Sequence, residues 1–235
     1  MAKLYFRYGA MGSSKTANAL MVRYNYLEKG QYPVLLKPAV DNRDGEKLIR
    51  SRLGISAECV FVEDYLEMVR KEWIGRECSD ECIPQKPDCI IIDEAQFLTT
   101  DQVDLLAKIV DDFDVPVICY GLRTDFTSHL FEGSARLMEI SDKLEEVPTV
   151  CWCGRRAHFT ARIHDGAIVR SGERIMMGGN ESYTSLCRRH YNAGIISDPS
   201  KAKRNRFRKF LSFIDSGGAP PFFIFYPPRL RSNLV

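Results

Sequence analysis

Two short stretches carry residue types suited to phosphate chemistry. The first is Gly9-Ala10-Met11-Gly12-Ser13-Ser14-Lys15-Thr16, which follows the apolar run Leu4-Tyr5-Phe6. It matches the phosphate-binding pattern G-x-x-x-x-G-K-[ST], except that Ser14 stands where the second glycine is expected. In such a loop, successive backbone N–H groups face inward and cradle phosphate oxygens. The helix that follows adds the positive end of its dipole. Lys15 is expected to reach the β/γ-phosphates of a nucleotide, and Thr16 to place its hydroxyl on Mg²⁺. An ordinary strand–turn–helix is the alternative that this loop alone leaves open.

The second stretch is Ile90-Ile91-Ile92-Asp93-Glu94-Ala95-Gln96-Phe97. An apolar strand ending in an acid fits the metal-holding segment that accompanies a phosphate loop, with Asp93 on Mg²⁺ through water. Glu94 beside it can take a proton from the attacking nucleophile. If the nucleophile is water the chain is an ATPase; if it is a substrate hydroxyl, a kinase. Simple capping of the next turn is the alternative.

A third set, Cys151, Cys153, Cys187 and His190, offers three thiolates and an imidazole, suited to structural Zn²⁺. Cys-x-Cys is tighter than the commoner Cys-x₂-Cys, whereas Cys-x₂-His is an ordinary spacing. Zinc would pin the two ends of residues 154–186, an excursion with little core of its own. Four buried or reduced side chains without metal are the alternative. Cys78, Cys82 and Cys89 form a weaker cluster, read as metal-free. Cys59 and Cys119 sit inside apolar strands and are expected in the core.

The elements that must position these groups alternate. Strands are predicted at 3–6, 33–36, 59–62, 89–92 and 115–120, and helices at 15–29, 64–74 and 101–113. The strand at 89–92 is apolar throughout, as burial on both faces requires. Val103, Leu106, Val110 and Phe113 share one helix face. This alternation predicts an α/β fold with a parallel sheet flanked by helices. A chain of 235 residues has room for one good core and a small second module. Net charge is +2, but residues 200–235 hold eight Lys/Arg against one Asp, so residues 1–199 carry −5. The body is therefore not expected to bind nucleic acid. No apolar run approaches the roughly 18 residues that span a bilayer. With the phosphate loop opening at residue 9, no signal peptide is expected, and the cysteines are expected reduced in the cytoplasm.

In order along the chain come the phosphate loop, Asp93-Glu94-Ala95-Gln96-Phe97, Gly121-Leu122-Arg123-Thr124-Asp125-Phe126, a zinc pair, Gly178-Gly179-Asn180-Glu181-Ser182-Tyr183 and a second zinc pair. This order resembles the type II, zinc-bearing thymidine kinases, the bacterial branch above all, over residues 3 to about 195. The resemblance implies a P-loop kinase domain at 1–148 and a zinc-bearing lasso at 149–197 that closes over the nucleoside. It implies that residues 9–16 and Asp93 to Gln96 bind ATP, with Glu94 as general base on the 5′-hydroxyl. It places Met11, Phe97, Leu122, Phe126, Thr160 and Tyr183 around thymidine, with Ile175, Met176, Met177 and Gly178 hydrogen-bonding the base through their backbone. Implied cofactors are ATP, Mg²⁺ and structural Zn²⁺. Implied biology is nucleotide salvage for DNA synthesis by a cytoplasmic homotetramer that uses neither nucleic acid nor membrane.

One methyl group is worth only about 1–3 kcal/mol in an apolar pocket, so deoxyuridine is expected to be a weaker substrate. Arg43, Arg123 and Arg136 are candidates to meet phosphate, and the sequence does not choose among them. Asp41 to about Arg52 is expected to be polar and mobile. Residues 198–235, basic from Lys201 to Lys209 and then rich in proline and aromatics, depart from the family and are expected to be disordered. Two other readings stand: a P-loop ATPase in which Glu94 activates water and the zinc module binds partners, and a binding-only protein crippled at Ser14.

Overall fold

The alternating pattern folds as expected from its apolar runs. The computed structural model describes residues 1–41, 45, 47–74, 86–173 and 183–198. Met1–Ile196 form one compact unit; of a second, Ser197–Val235, only Ser197 and Asp198 are described. Strand β1 (Leu4–Gly9) leads through the phosphate loop into helix α1 (Lys15–Glu28). Strand β2 (Pro33–Lys37), a hairpin of β3 (Leu48–Arg50) and β4 (Ser56–Glu58), and short β5 (Val60–Phe61) follow. Next come α2 (Val62–Val69), β6 (Cys89–Ile92), a 3₁₀ turn at Ala95–Phe97, α3 (Thr100–Phe113), β7 (Val117–Leu122), α4 (Glu132–Ile140) and β8 (Lys143–Glu146). The remainder holds β9 (Thr149–Val150), β10 (Arg156–Ala157), β11 (Phe159–His164), β12 (Ala167–Ile168), β13 (Tyr183–Leu186) and α5 (Arg188–Ala193).

Among the described residues the main sheet has six strands in the order β5-β2-β6-β7-β1-β8. Every pairing in it is parallel. The pleat sends alternate side chains to opposite faces. Leu4, Phe6, Ile90, Ile92, Val117 and Cys119 pack against α2, α3 and α4. Leu35, Ile91, Ile118 and Tyr120 pack on the other side with Ala19 and Leu20 of α1. Both faces are covered, which is why β6 reads as an unbroken apolar run. α3 starts at a capping box: Gln102 N–H donates to Thr99 Oγ1 at 3.3 Å and Thr99 N–H to Gln102 Oε1 at 2.9 Å. α1 ends where Gly30, at φ 71°, takes the left-handed conformation that stops a helix.

Several boundaries differ from the sequence reading. The strand predicted at 59–62 shortens to β5, because Val62, fully buried, is already the first residue of α2. β7 runs 117–122 rather than 115–120. Part of the stretch expected to be mobile is ordered: Arg50 is the last residue of β3, and Ile49 and Ala57 of the hairpin pack toward α1. β8 is mostly charged and exposed, and joins the sheet only as an edge beside β1. The excursion after Cys151 has a core after all, built by Cys151, Ala157, Ala161, Leu186, Cys187 and Tyr191. Cys59, Cys89 and Cys119 are buried; Cys89 and Cys119 lie in β6 and β7, whereas Cys59 falls between β4 and β5 rather than inside a strand. Cys78, Cys82, Arg43, residues 175–178 and the tail from 199 lie outside the described residues.

Candidate active site

The phosphate loop joins β1 to α1 at the carboxyl edge of the sheet, the edge at which ligands bind in open α/β folds. Gly12 (φ 75°) and Ser14 (φ 61°) both adopt the left-handed conformation that turns backbone N–H groups inward. Ser14 is thus a serine in a glycine's conformation, and its side chain makes no cap hydrogen bond to α1. Gly9 permits close packing: a Cβ there would lie 2.5 Å from both Ser13 Oγ and the Val147 carbonyl oxygen. The Lys15 ammonium folds into the loop and donates to Ala10 O at 3.0 Å, Ser13 Oγ at 3.1 Å and Gly9 O at 3.3 Å.

Asp93 ends β6 in a fully buried position and accepts a hydrogen bond from the Thr16 hydroxyl. Burial, and then the neighbouring Glu94 carboxylate, push its pKa up to about 7, against the lowering effect of Thr16 and Lys15. Two carboxylates crowded at one buried point, with a hydroxyl beside them, are a donor set that a divalent cation would relieve. Asp93 and Thr16 are the residues that fit Mg²⁺.

Glu94 sits at φ 52°, a strained conformation for a side chain of its size. Its carboxylate is held by Gln96, whose Nε2 donates to Glu94 Oε2 at 2.5 Å. The other end of the same amide accepts from Leu122 N–H at 2.9 Å. Gly121 makes the approach possible: a Cβ there would come within 3.0 Å of Gln96 N and Oε1. Gln96 therefore hooks the acidic turn onto the end of β7. Leu122 in turn accepts from Ser134 Oγ at 2.6 Å. Phe97 packs edge-on against Phe131, with ring centroids 5.8 Å apart.

The antiparallel strands β11 and β13 pair Thr160 with Ser185 and Arg162 with Tyr183. Directly paired residues, and residues two apart, share a face. That face meets the phosphate loop. Met11 N–H donates to Thr160 Oγ1 at 3.1 Å, and Ser185 Oγ donates to the Met11 carbonyl. Thr149 Oγ1 adds a bond to Gly12 O at 3.3 Å. Farther along the face, Arg162 is 4 % exposed and spreads its guanidinium over the Phe126 ring, 3.8 Å from the centroid. Its Nε donates to Tyr183 Oη at 3.0 Å and its Nη1 to Glu173 O at 2.8 Å. Tyr191 Oη donates to Phe126 O at 2.5 Å.

The structure thus links Met11 with Thr160, and Phe126 with Tyr183 through Arg162. Sequence reasoning missed Arg162, Ser185 and Thr149. The signal was there for Ser185 and Arg162, since each lies two residues from a recognised position on an alternating strand. Of the arginines considered for phosphate, Arg136 is engaged by Asp104 (2.6 Å) and Glu139 (3.0 Å) on the helical surface. Arg123 is half-buried just beyond β7.

Cys151, Cys153, Cys187 and His190 converge, with all four ligand atoms within 4.8 Å of one another. Cys153 Sγ lies 4.0 Å from Cys187 Sγ, and His190 Nδ1 lies 3.4 Å from Cys151 Sγ and 3.6 Å from Cys187 Sγ. Zn–S bonds of about 2.3 Å and a Zn–N bond of about 2.1 Å give tetrahedral edges of about 3.8 and 3.6 Å. The set can hold zinc. The Trp152 ring stacks on His190, with centroids 4.1 Å apart, and fixes its plane.

Comparison with known proteins bears on the same residues. The sequence profile of the family described as thymidine kinase matches residues 2–191. A thymidine kinase of Streptococcus gordonii is 44% identical over 192 residues, covering 81% of this chain and 96% of that one. Those of Pasteurella multocida and Novosphingobium aromaticivorans are each 44% identical, covering 83% and 82% of this chain and 99% and 97% of theirs. Among solved structures, a replication initiator DnaA bound to AMPPCP and single-stranded DNA aligns with a TM-score of 0.39 and 17% identity over 63% of this chain and 41% of that one, too distant to bear on the reading. By profile and by identity over most of its length, this chain belongs to the thymidine kinase family.

Proposed function

We propose that the chain transfers the γ-phosphoryl group of ATP to the 5′-hydroxyl of thymidine, and more slowly to that of deoxyuridine. The observation that supports this is the Glu94–Gln96–Leu122 chain of hydrogen bonds; in this reading Glu94 is the base and Leu122 a wall of the nucleoside pocket. Residues 9–16 grip the phosphates, with Lys15 as their cation. Glu94 accepts the 5′-hydroxyl proton as O5′ attacks the γ-phosphorus; the bond from that phosphorus to the β–γ bridging oxygen breaks, and ADP leaves. Its fixed amide partner keeps that carboxylate aimed, so little orientation is lost at the moment of transfer. Mg²⁺, when bound by Asp93 and Thr16, supplies positive charge to the phosphates.

In this reading residues 1–148 are the ATP half and residues 149–197 the lasso over the nucleoside. Met11, Phe97, Leu122, Phe126, Thr160 and Tyr183 are the described residues assigned to the pocket. Water exclusion by the lasso favours transfer over hydrolysis. Zinc on Cys151, Cys153, Cys187 and His190 joins the two ends of the lasso. No helix among the described residues is long and apolar enough to cross a membrane. We place the protein in the cytoplasm as a homotetramer without a nucleic-acid partner. The test is ATP consumption with thymidine and with no acceptor, monitored for thymidine monophosphate. Monophosphate formed only with thymidine is expected. ATP loss without nucleotide product, stimulated by DNA, overturns the kinase reading in favour of an ATPase.

A further inference from the structure

The phosphate loop has a second cation beside it. The β3–β4 hairpin is held on α1 by Ile49, which is 4 % exposed and packs with Ala19 and Leu20. Its turn, residues 51–55, is closed by Ser51 N–H to Ile55 O at 2.8 Å and Gly54 N–H to Ser51 O at 3.0 Å. Gly54 takes φ 85° there. This turn carries Arg52 over the loop: a Cβ built on Gly12 would lie 3.6 Å from Arg52 Nη1. The same Gly12 position is 4.0 Å from Ser185 Oγ, so Arg52 stands where the phosphate loop meets the β11–β13 face. Among the described residues, no carboxylate pairs with Arg52. Residues 1–199 carry a net −5, so a cation beside the phosphate loop does not follow from the overall charge of the body.

We propose that Arg52 contacts the terminal phosphates of bound ATP, in addition to Lys15. A guanidinium offers two parallel N–H donors to a phosphoryl group, whereas a lysine offers a point charge. The proposal rests on reading residues 9–16 as the ATP loop, and it names a phosphate ligand that lies outside both acidic and glycine-rich motifs.

The test compares Arg52→Gln, Arg52→Lys and Arg50→Gln in the full chain, with ATP and AMP affinities measured by calorimetry without thymidine. Arg50 is exposed on the same hairpin, so Arg50→Gln removes an equal charge two residues away. Arg52→Gln is expected to lose about tenfold or more in ATP affinity and to leave AMP affinity within twofold. Arg52→Lys is expected to lose less, and Arg50→Gln to stay within twofold for both nucleotides. Equal ATP affinity in Arg52→Gln and the unsubstituted protein overturns the proposal. So does an equal loss for ATP and AMP, or an equal loss in Arg50→Gln. Thymidine monophosphate formation by the unsubstituted protein is read separately; its failure counts against the substrate reading alone. No ATP binding by the unsubstituted protein overturns this inference together with the loop reading.

Discussion

Replacing Ser14 by glycine should stabilise the protein. Ser14 holds φ 61° and ψ 25° and gives α1 no side-chain hydrogen bond. Its hydroxyl therefore contributes nothing to the helix start, while the left-handed backbone costs about 1–2 kcal/mol for a residue with a Cβ. Glycine removes that cost but gains about 0.5–1 kcal/mol of unfolded-chain entropy. The net gain is roughly 0.5–1 kcal/mol, and at about 2–4 °C per kcal/mol for a chain of this size Tm rises by about 1–4 °C. Ser14→Ala keeps the strain and loses no cap, so it should lie within about 0.5 kcal/mol of the unsubstituted protein. Ser14→Val adds branching at a backbone angle that disfavours it, and should cost about 1–2 kcal/mol more. Calorimetric melting of the four proteins without nucleotide gives the order Gly, then Ser and Ala together, then Val. A valine variant as stable as serine, or an alanine variant clearly weaker than serine, would refute the reasoning. The first outcome would remove the strain and the second would give the hydroxyl a role.

Three further outcomes are expected. Gly121→Ala presses a methyl within 3.0 Å of Gln96 and should displace the amide that aims Glu94. Turnover should fall at least tenfold for a stability loss of about 1–3 kcal/mol, and unchanged turnover would take Gln96 out of the aiming role. Cys187→Ser removes one of the four donors proposed for zinc, so metal analysis should find the chain depleted of zinc and its melting lowered; full zinc content would defeat the ligand assignment. Asp93 is raised to about 7 in the folded chain from about 3.9 when unfolded, so the folded state binds the extra proton between those values. Its contribution to stability is present below pH 4 and lost as pH rises through 7. Without added Mg²⁺, Asp93→Asn should flatten that decline and be the more stable protein at pH 8; parallel pH curves for the two proteins would contradict it.

Much of the fold was legible because its signals are local. β6 is apolar at every position since both faces of a parallel strand are buried, and α3 announces itself by the Thr99–Gln102 box and one apolar face. The hairpin at 48–58 and the edge strand β8 were not legible. β8 is mostly charged and pairs only with β1, at the far end of the chain, and the hairpin strands pair with each other over only three residues each, too few to show an alternating pattern. The excursion after Cys151 was read as lacking a core because Ala157, Ala161 and Leu186 are scattered. They meet only when β11 and β13 pair.

The same division holds for the site. Sequence alone determined the chemistry on offer: a loop for phosphate, Asp93 and Glu94 in tandem, and three thiols with an imidazole. These are covalent facts, and spacing along one strand or turn is enough to reveal them. It also marked position 14 as a departure, without saying what the departure meant. Tertiary structure decided that Ser14 takes a left-handed conformation, because that depends on how β1 is joined to α1 over the sheet. It decided that Gln96 bridges Glu94 to Leu122, that Arg162 lies between Phe126 and Tyr183, and that Arg52 stands over Gly12. Apart from the Gln96–Glu94 bond, each of those contacts joins segments distant in the chain. Burial of the two sheet faces and of the small β11–β13 core brings those segments together.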